Sequence, residues 1–175
     1  MQNFINPSLH KAEAYIVEFI DAHHHLWDLT ACDYPWLAAR GVPRFFGDPT
    51  PIQKDYLLDD FLGESEVYQP ARSVHIQVGV APGCEVRETQ WLSERAEKPE
   101  ALVCFADLAG SEREATLDRQ TEFPRVRGVR QIIGRHADED GKHGSDALID
   151  DLAFARGLRS LERRGLSFDL QLIPQ

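Results

Sequence analysis

The chain has 175 residues, of which 29 are acidic and 19 basic, for a formal charge of −10. At 42% hydrophobic and 27% charged, it has the composition of a globular protein with enough chain for a packed core. The acidic balance lacks the clustered Lys and Arg that nucleic-acid backbones or anionic membranes require, and no apolar run approaches the roughly 18 residues of a membrane span.

Residues 1–17 are polar and aperiodic, and they read as an N-terminal extension to a domain over 18–175. They lack the basic start and apolar stretch of a signal peptide. Cys32, Cys84 and Cys104 are too scattered for a disulfide framework or a metal-binding pair, so a reducing, cytoplasmic setting is expected. The first strand is predicted over 17–27, which is rich in β-branched and aromatic residues. Residues 28–56 then carry Pro35, Pro43, Pro49 and Pro51 with Gly41 and Gly47, a spacing that forbids a long helix. A loop of that length in a compact domain suggests a lid or a binding loop.

A short helix follows over 56–63, with Leu57, Leu58, Phe61 and Leu62 on its buried side. Strands are predicted over 73–80, 101–108, 126–133 and 166–173. The helix over 85–98 offers Val86, Trp91, Leu92 and Ala96 to a core. Another helix begins at Ser111, whose spacing to Glu114 is that of a capping box. After a polar loop over 134–146, Leu148, Ile149, Leu152, Ala155, Leu158 and Leu161 mark a last helix, closed by Gly165. Strands and helices alternate throughout. That alternation predicts an α/β fold of five parallel strands with crossover helices.

Ligands of parallel α/β folds bind at the carboxyl ends of the strands, so polar residues there are the site candidates. His23 and His25 project from one face of the first strand, together with Asp21, while Ile20, Ala22, His24 and Leu26 face the other way. Two such imidazoles form half of a metal site, a general acid/base pair, or an unreactive hydrogen-bonded cluster. Gln77, near the end of its strand, could bind a substrate carbonyl or be a satisfied interior amide. Arg130 needs an anion or a carboxylate, and Asp169 on the last strand offers one. Asp107 suits a helix or loop cap as well as a reactive role. Asp138 to Gly141 lacks calcium-loop spacing, and His136 and His143 lie beside it in a solvated loop.

The run Asp21-Ala22-His23-His24-His25-Leu26-Trp27-Asp28, followed by Asp33-Tyr34-Pro35-Trp36-Leu37, resembles the opening of the amidohydrolase-related TIM-barrel proteins. It is most similar to the branch holding sugar lactonases and 2-pyrone-4,6-dicarboxylate lactonase. The likeness continues through Gln77-Val78, Glu88 and Trp91, Ala106-Asp107-Leu108, Gly128-Val129-Arg130 and Phe168-Asp169-Leu170, over about residues 18–175.

The resemblance implies a partial (β/α)8 barrel, because five strands are found where a barrel of about 250 residues has eight. It implies a small lactone or carboxylate as substrate and ring opening by water. His23 and His25 would be the catalytic pair and the ligands of a divalent metal such as zinc. Arg130 would hold a carboxylate or a hydroxyl-rich substrate, and Tyr34 would reach over from the loop. Arg130, Asp169 and Gln171 stand where the wider superfamily has a lysine or glutamate and a histidine. The further histidine and catalytic aspartate of the later strands have no counterpart, so the chain is expected to be an N-terminal portion. Two other readings stay open: a non-catalytic remnant that self-associates through its last strand, and a decarboxylase or hydro-lyase of the same superfamily.

Overall fold

The computed structural model describes residues 18–44, 46–65, 68, 70–95, 98–133 and 148–171. The expected extension over 1–17, the loop over 134–146 with His136 and His143, and Ala96 lie outside them. The elements are β1 (Ile20–His24), α1 (Pro35–Ala38), a 3-10 turn (Thr50–Ile52), α2 (Leu58–Glu64), β2 (Arg72–Ile76) and α3 (Glu85–Ser93). They continue as β3 (Ala101–Cys104), α4 (Arg113–Thr121), β4 (Val126–Ile132), α5 (Leu152–Arg163) and β5 (Ser167–Gln171). Every neighbouring strand pair is parallel, in the order β1-β2-β3-β4-β5. The sheet curls as a half-barrel with helices between the strands, as the alternation predicts.

Strands end earlier than expected where side chains take over their hydrogen bonding. β3 stops at Cys104, and the next carbonyl, that of Phe105, accepts from Gln120 Nε2 of α4 at 2.9 Å. The core lies between the sheet and its helices. Leu92 of α3, Leu102 and Cys104 of β3, Leu117 of α4, Val129 of β4, and Phe154 and Leu161 of α5 form one buried cluster. Each such side chain contributes about 1.5–3 kcal/mol by leaving water.

Three local expectations are corrected. The segment over 28–56 is a packed excursion and not an open lid, because an antiparallel bridge between Trp27 and Tyr56 closes its base. Within it Cys32, Tyr34, Leu37 and Gln53 are buried, and Trp36 Nε1 donates to Val78 O at 2.6 Å. The helix expected at Ser111 begins at Arg113 with no side-chain cap. Glu114 is drawn away by Ser160 Oγ, which donates to it at 2.5 Å, and by Arg164 at 3.0 Å. Those partners hold its carboxyl down at about 2.

Of the residues expected on the last helix, Leu161 is buried and Leu148 and Leu158 pack on the core, but Ile149, Leu152 and Ala155 do not face it. Leu152 is 74% exposed and Ile149 53% exposed, while Phe154, Gly157, Ser160 and Leu161 are buried. Small residues decide this packing: a Cβ at Gly157 would lie 2.3 Å from Leu108 O, so the helix backbone rests directly on the Leu108 chain. The expected stop at Gly165 is present, with φ of +65° just after the helix end. Among the described residues no helix is long and apolar enough to cross a membrane.

Candidate active site

Alternation along β1 sends His24 and Leu26 to the helix layer and His23 and His25 to the opposite face. His24 stacks on Phe61 of α2 with centroids 4.2 Å apart, and Leu26 joins the core. On the other face the Nε2 atoms of His23 and His25 converge to 3.3 Å. Asp21 Oδ1 accepts from His23 N at 3.0 Å and steadies the strand beside the pair.

The state of His25 follows from its partner. Its Nδ1 lies 2.8 Å from Ile76 O. A carbonyl can only accept, so Nδ1 carries the proton and Nε2 presents a lone pair. Burial holds the His25 ring below the usual histidine value; the Ile76 carbonyl opposes that shift, while nearby His23 and Arg130 add to it. The ring is neutral at neutral pH.

Such a pair fits a divalent metal. Two imidazoles bound to one tetrahedral zinc at about 2.0–2.1 Å have nitrogens about 3.3–3.4 Å apart, the spacing found here between nitrogens that can present lone pairs. Among the described residues no group of three or more His, Cys, Asp or Glu side chains is placed to hold a metal ion.

Arg130 and Asp169 are register partners on β4 and β5, with Nε and Oδ1 4.0 Å apart. Both act electrostatically on His25, in opposite directions. Gln77 is drawn to the same strand ends, where its Nε2 donates to Arg130 O at 3.4 Å. Its side chain is buried, and its Oε1 has no hydrogen-bond partner among the described residues. His23, His25, Gln77, Arg130 and Asp169 therefore gather at one end of the sheet. An open cleft of about 450 Å³ borders His25, with His24, Trp27, Tyr56 and Phe61 on its walls.

Tyr34 is not part of this group. It is 1% exposed, and its hydroxyl sits beside Glu88 and Cys32 in the helix layer, where burial pushes it far above the ordinary tyrosine value. The apolar company of Leu37 draws the ring inward, so it cannot reach over the strand ends. Asp107 takes the cap role, with Oδ1 accepting from Ala109 N and Gln131 Nε2, each at 3.1 Å.

Sequence reasoning missed a buried polar pair behind the histidines. His75 accepts from Leu26 N at 3.1 Å through Nδ1, and its Nε2 lies 4.0 Å from Glu88 Oε1. Burial lowers the His75 ring well below the usual value and raises Glu88 to about 8, so both are neutral. A signal was available for Glu88, which precedes Trp91 and Leu92 by three and four positions on the buried face of α3.

The amidohydrolase family model matches residues 20–174. The chain is 36% identical over 165 residues to the uncharacterized protein y4mH of Sinorhizobium fredii, covering 89% of this chain and 54% of that protein. It is 29% identical over 157 residues to L-fucono-1,5-lactonase of Burkholderia multivorans, covering 86% and 46%. The crystal structure of an amidohydrolase from Burkholderia multivorans with zinc bound superposes with a TM-score of 0.64 at 24% identity, over 90% of this chain and 50% of that one. The chain thus spans about half the length of the relatives it matches. With the half-barrel and its convergent histidines, the match over 20–174 shows that the chain belongs to the amidohydrolase family.

Proposed function

We propose that the chain carries the histidine side of a lactonase centre that opens sugar-acid lactones by water attack. The observation that carries this reading is the convergence of His23 Nε2 and His25 Nε2 at 3.3 Å beside an arginine. The similarity to L-fucono-1,5-lactonase supports the substrate class, and the zinc in the similar amidohydrolase structure supports a metal at the pair.

In the reaction, water oxygen adds to the lactone carbonyl carbon and the ring C–O bond breaks, leaving a hydroxy acid. A divalent metal such as zinc, held by His23 Nε2 and His25 Nε2, would supply Lewis acidity toward that carbonyl oxygen. His25 is already neutral and keeps its Nε2 lone pair aimed at its partner, so no proton must leave before it acts. Arg130 offers a guanidinium to the substrate's carboxylate or hydroxyl groups, with Asp169 orienting it. Gln77 steadies the main chain of β4 at Arg130.

Hydrolysis of aldono-1,5-lactones, followed by acid release with zinc present, tests the reading. The wild-type chain is expected to accelerate ring opening, and the double variant His23→Ala, His25→Ala to lose at least about 10²-fold. Turnover that survives the double substitution contradicts the roles given to the pair.

A further inference from the structure

Two histidines on neighbouring strands each bond to the residue that follows the other. His25 Nδ1 meets Ile76 O at 2.8 Å, and Leu26 N meets His75 Nδ1 at 3.1 Å. This exchange sits where β1 leaves its regular ladder: the pairing shifts between Asp21 and His24, after which His24 is opposite His75. Side chains have replaced main-chain hydrogen bonds at the point where β1 ends and His25 must be placed.

We propose that His75 is a positioning residue that fixes the ring orientation and tautomer of His25 through this reciprocal clasp. The donor and acceptor rules leave one arrangement. Leu26 N–H can only donate, so His75 Nδ1 holds a lone pair and its Nε2 carries the proton. Ile76 O can only accept, so His25 has the opposite tautomer, with the lone pair on Nε2. The proton on His75 Nε2 faces Glu88 Oε1 at 4.0 Å, and Glu88 Oε1 accepts from Val78 N at 3.1 Å. The clasp therefore joins β2 to the main chain immediately after His25, while His75 Nε2 itself makes no hydrogen bond among the described residues. His75 itself is 1% exposed and has no direct path to a substrate. It acts through His25.

The clasp stands on geometry alone. Its consequence for zinc rests on the proposed lactonase reading, and two readouts separate them. Long-range ¹H–¹⁵N spectra of the wild-type chain are expected to show His25 protonated on Nδ1 and His75 protonated on Nε2. The reverse tautomer at either ring overturns the clasp.

Zinc affinity, read by competition with a fluorescent chelator, is expected to fall about 10–100-fold in His75→Leu. His75→Asn puts an amide oxygen where Nδ1 stood and is expected to restore both the His25 tautomer and the affinity. His75→Gln reaches the Nε2 position but not Leu26 N, and is expected to behave as the leucine variant does. If all three variants keep the His25 tautomer and bind zinc as wild type does, His75 is only packing and the proposal fails. A wild-type chain that takes up no zinc contradicts the lactonase reading and leaves the tautomers to decide the clasp.

Discussion

Gly157→Val is expected to destabilise the chain by about 3 kcal/mol or more, a large part of the roughly 5–15 kcal/mol that holds a domain together. A Cβ at Gly157 would lie 2.3 Å from Leu108 O and 2.6 Å from Leu108 Cβ. Neither atom belongs to a flexible side-chain end that could step aside. Leu108 is itself buried in the core, so the clash must push α5 away from the sheet and loosen Phe154 and Leu161. Gly157→Ala meets the same carbonyl but regains about 1 kcal/mol of helix propensity, so its loss is smaller. Urea unfolding measures both. A valine variant as stable as the wild type would show that the helix does not rest on Leu108.

Stability is expected to peak near pH 6.5 and fall on both sides. Glu88 is pushed up to about 8 by burial, from an ordinary value of 4.5. Between these values the folded state holds a proton that the unfolded chain has released, so stability drops as pH rises, by about 1.4 kcal/mol per pH unit. Above 8 both states are ionised and the decline ends. His24, held down to about 4 by burial, acts with the opposite sign. Between 4 and 6.5 the unfolded chain takes up the proton that the buried ring refuses, so stability rises with pH. His75, lowered by burial as well, adds to this acid limb. Urea midpoints are expected to show a loss of about 2 kcal/mol between pH 6.5 and 8 in the wild type. Glu88→Gln should abolish that alkaline loss and steepen the acid limb, which Glu88 opposes between 4.5 and 6.5. A wild-type profile that is flat above pH 6.5 contradicts a buried, protonated Glu88.

Features set by local period and chain order were legible before the structure. The strand–helix alternation led to five parallel strands, and the two-residue spacing of His23 and His25 led to a shared face. Arg130 and Asp169 also meet as their chemistry requires, because a guanidinium at strand ends needs a carboxylate. What escaped depends on contacts between distant segments. Tyr34 looked like a loop residue free to reach a ligand, yet the loop folds over its own core and seals the ring inside. The leucine pattern of α5 places Leu158 and Leu161 at the core but not Leu152, which is exposed. Close approach to the sheet favoured Gly157 and Ser160 instead. Glu114 has the spacing of a cap, but Ser160 and Arg164 from α5 outcompete the helix end for its carboxylate. His75 was visible only as a strand residue, since its partner Leu26 N lies 49 positions away.

Whether His23 and His25 act as one convergent pair is tested most directly by titrating zinc calorimetrically into the wild-type chain and the single variants His23→Ala and His25→Ala. The wild type is expected to take up one equivalent, and each variant to bind at least about tenfold more weakly. Zinc binding of equal strength in all three proteins would contradict the convergent pair.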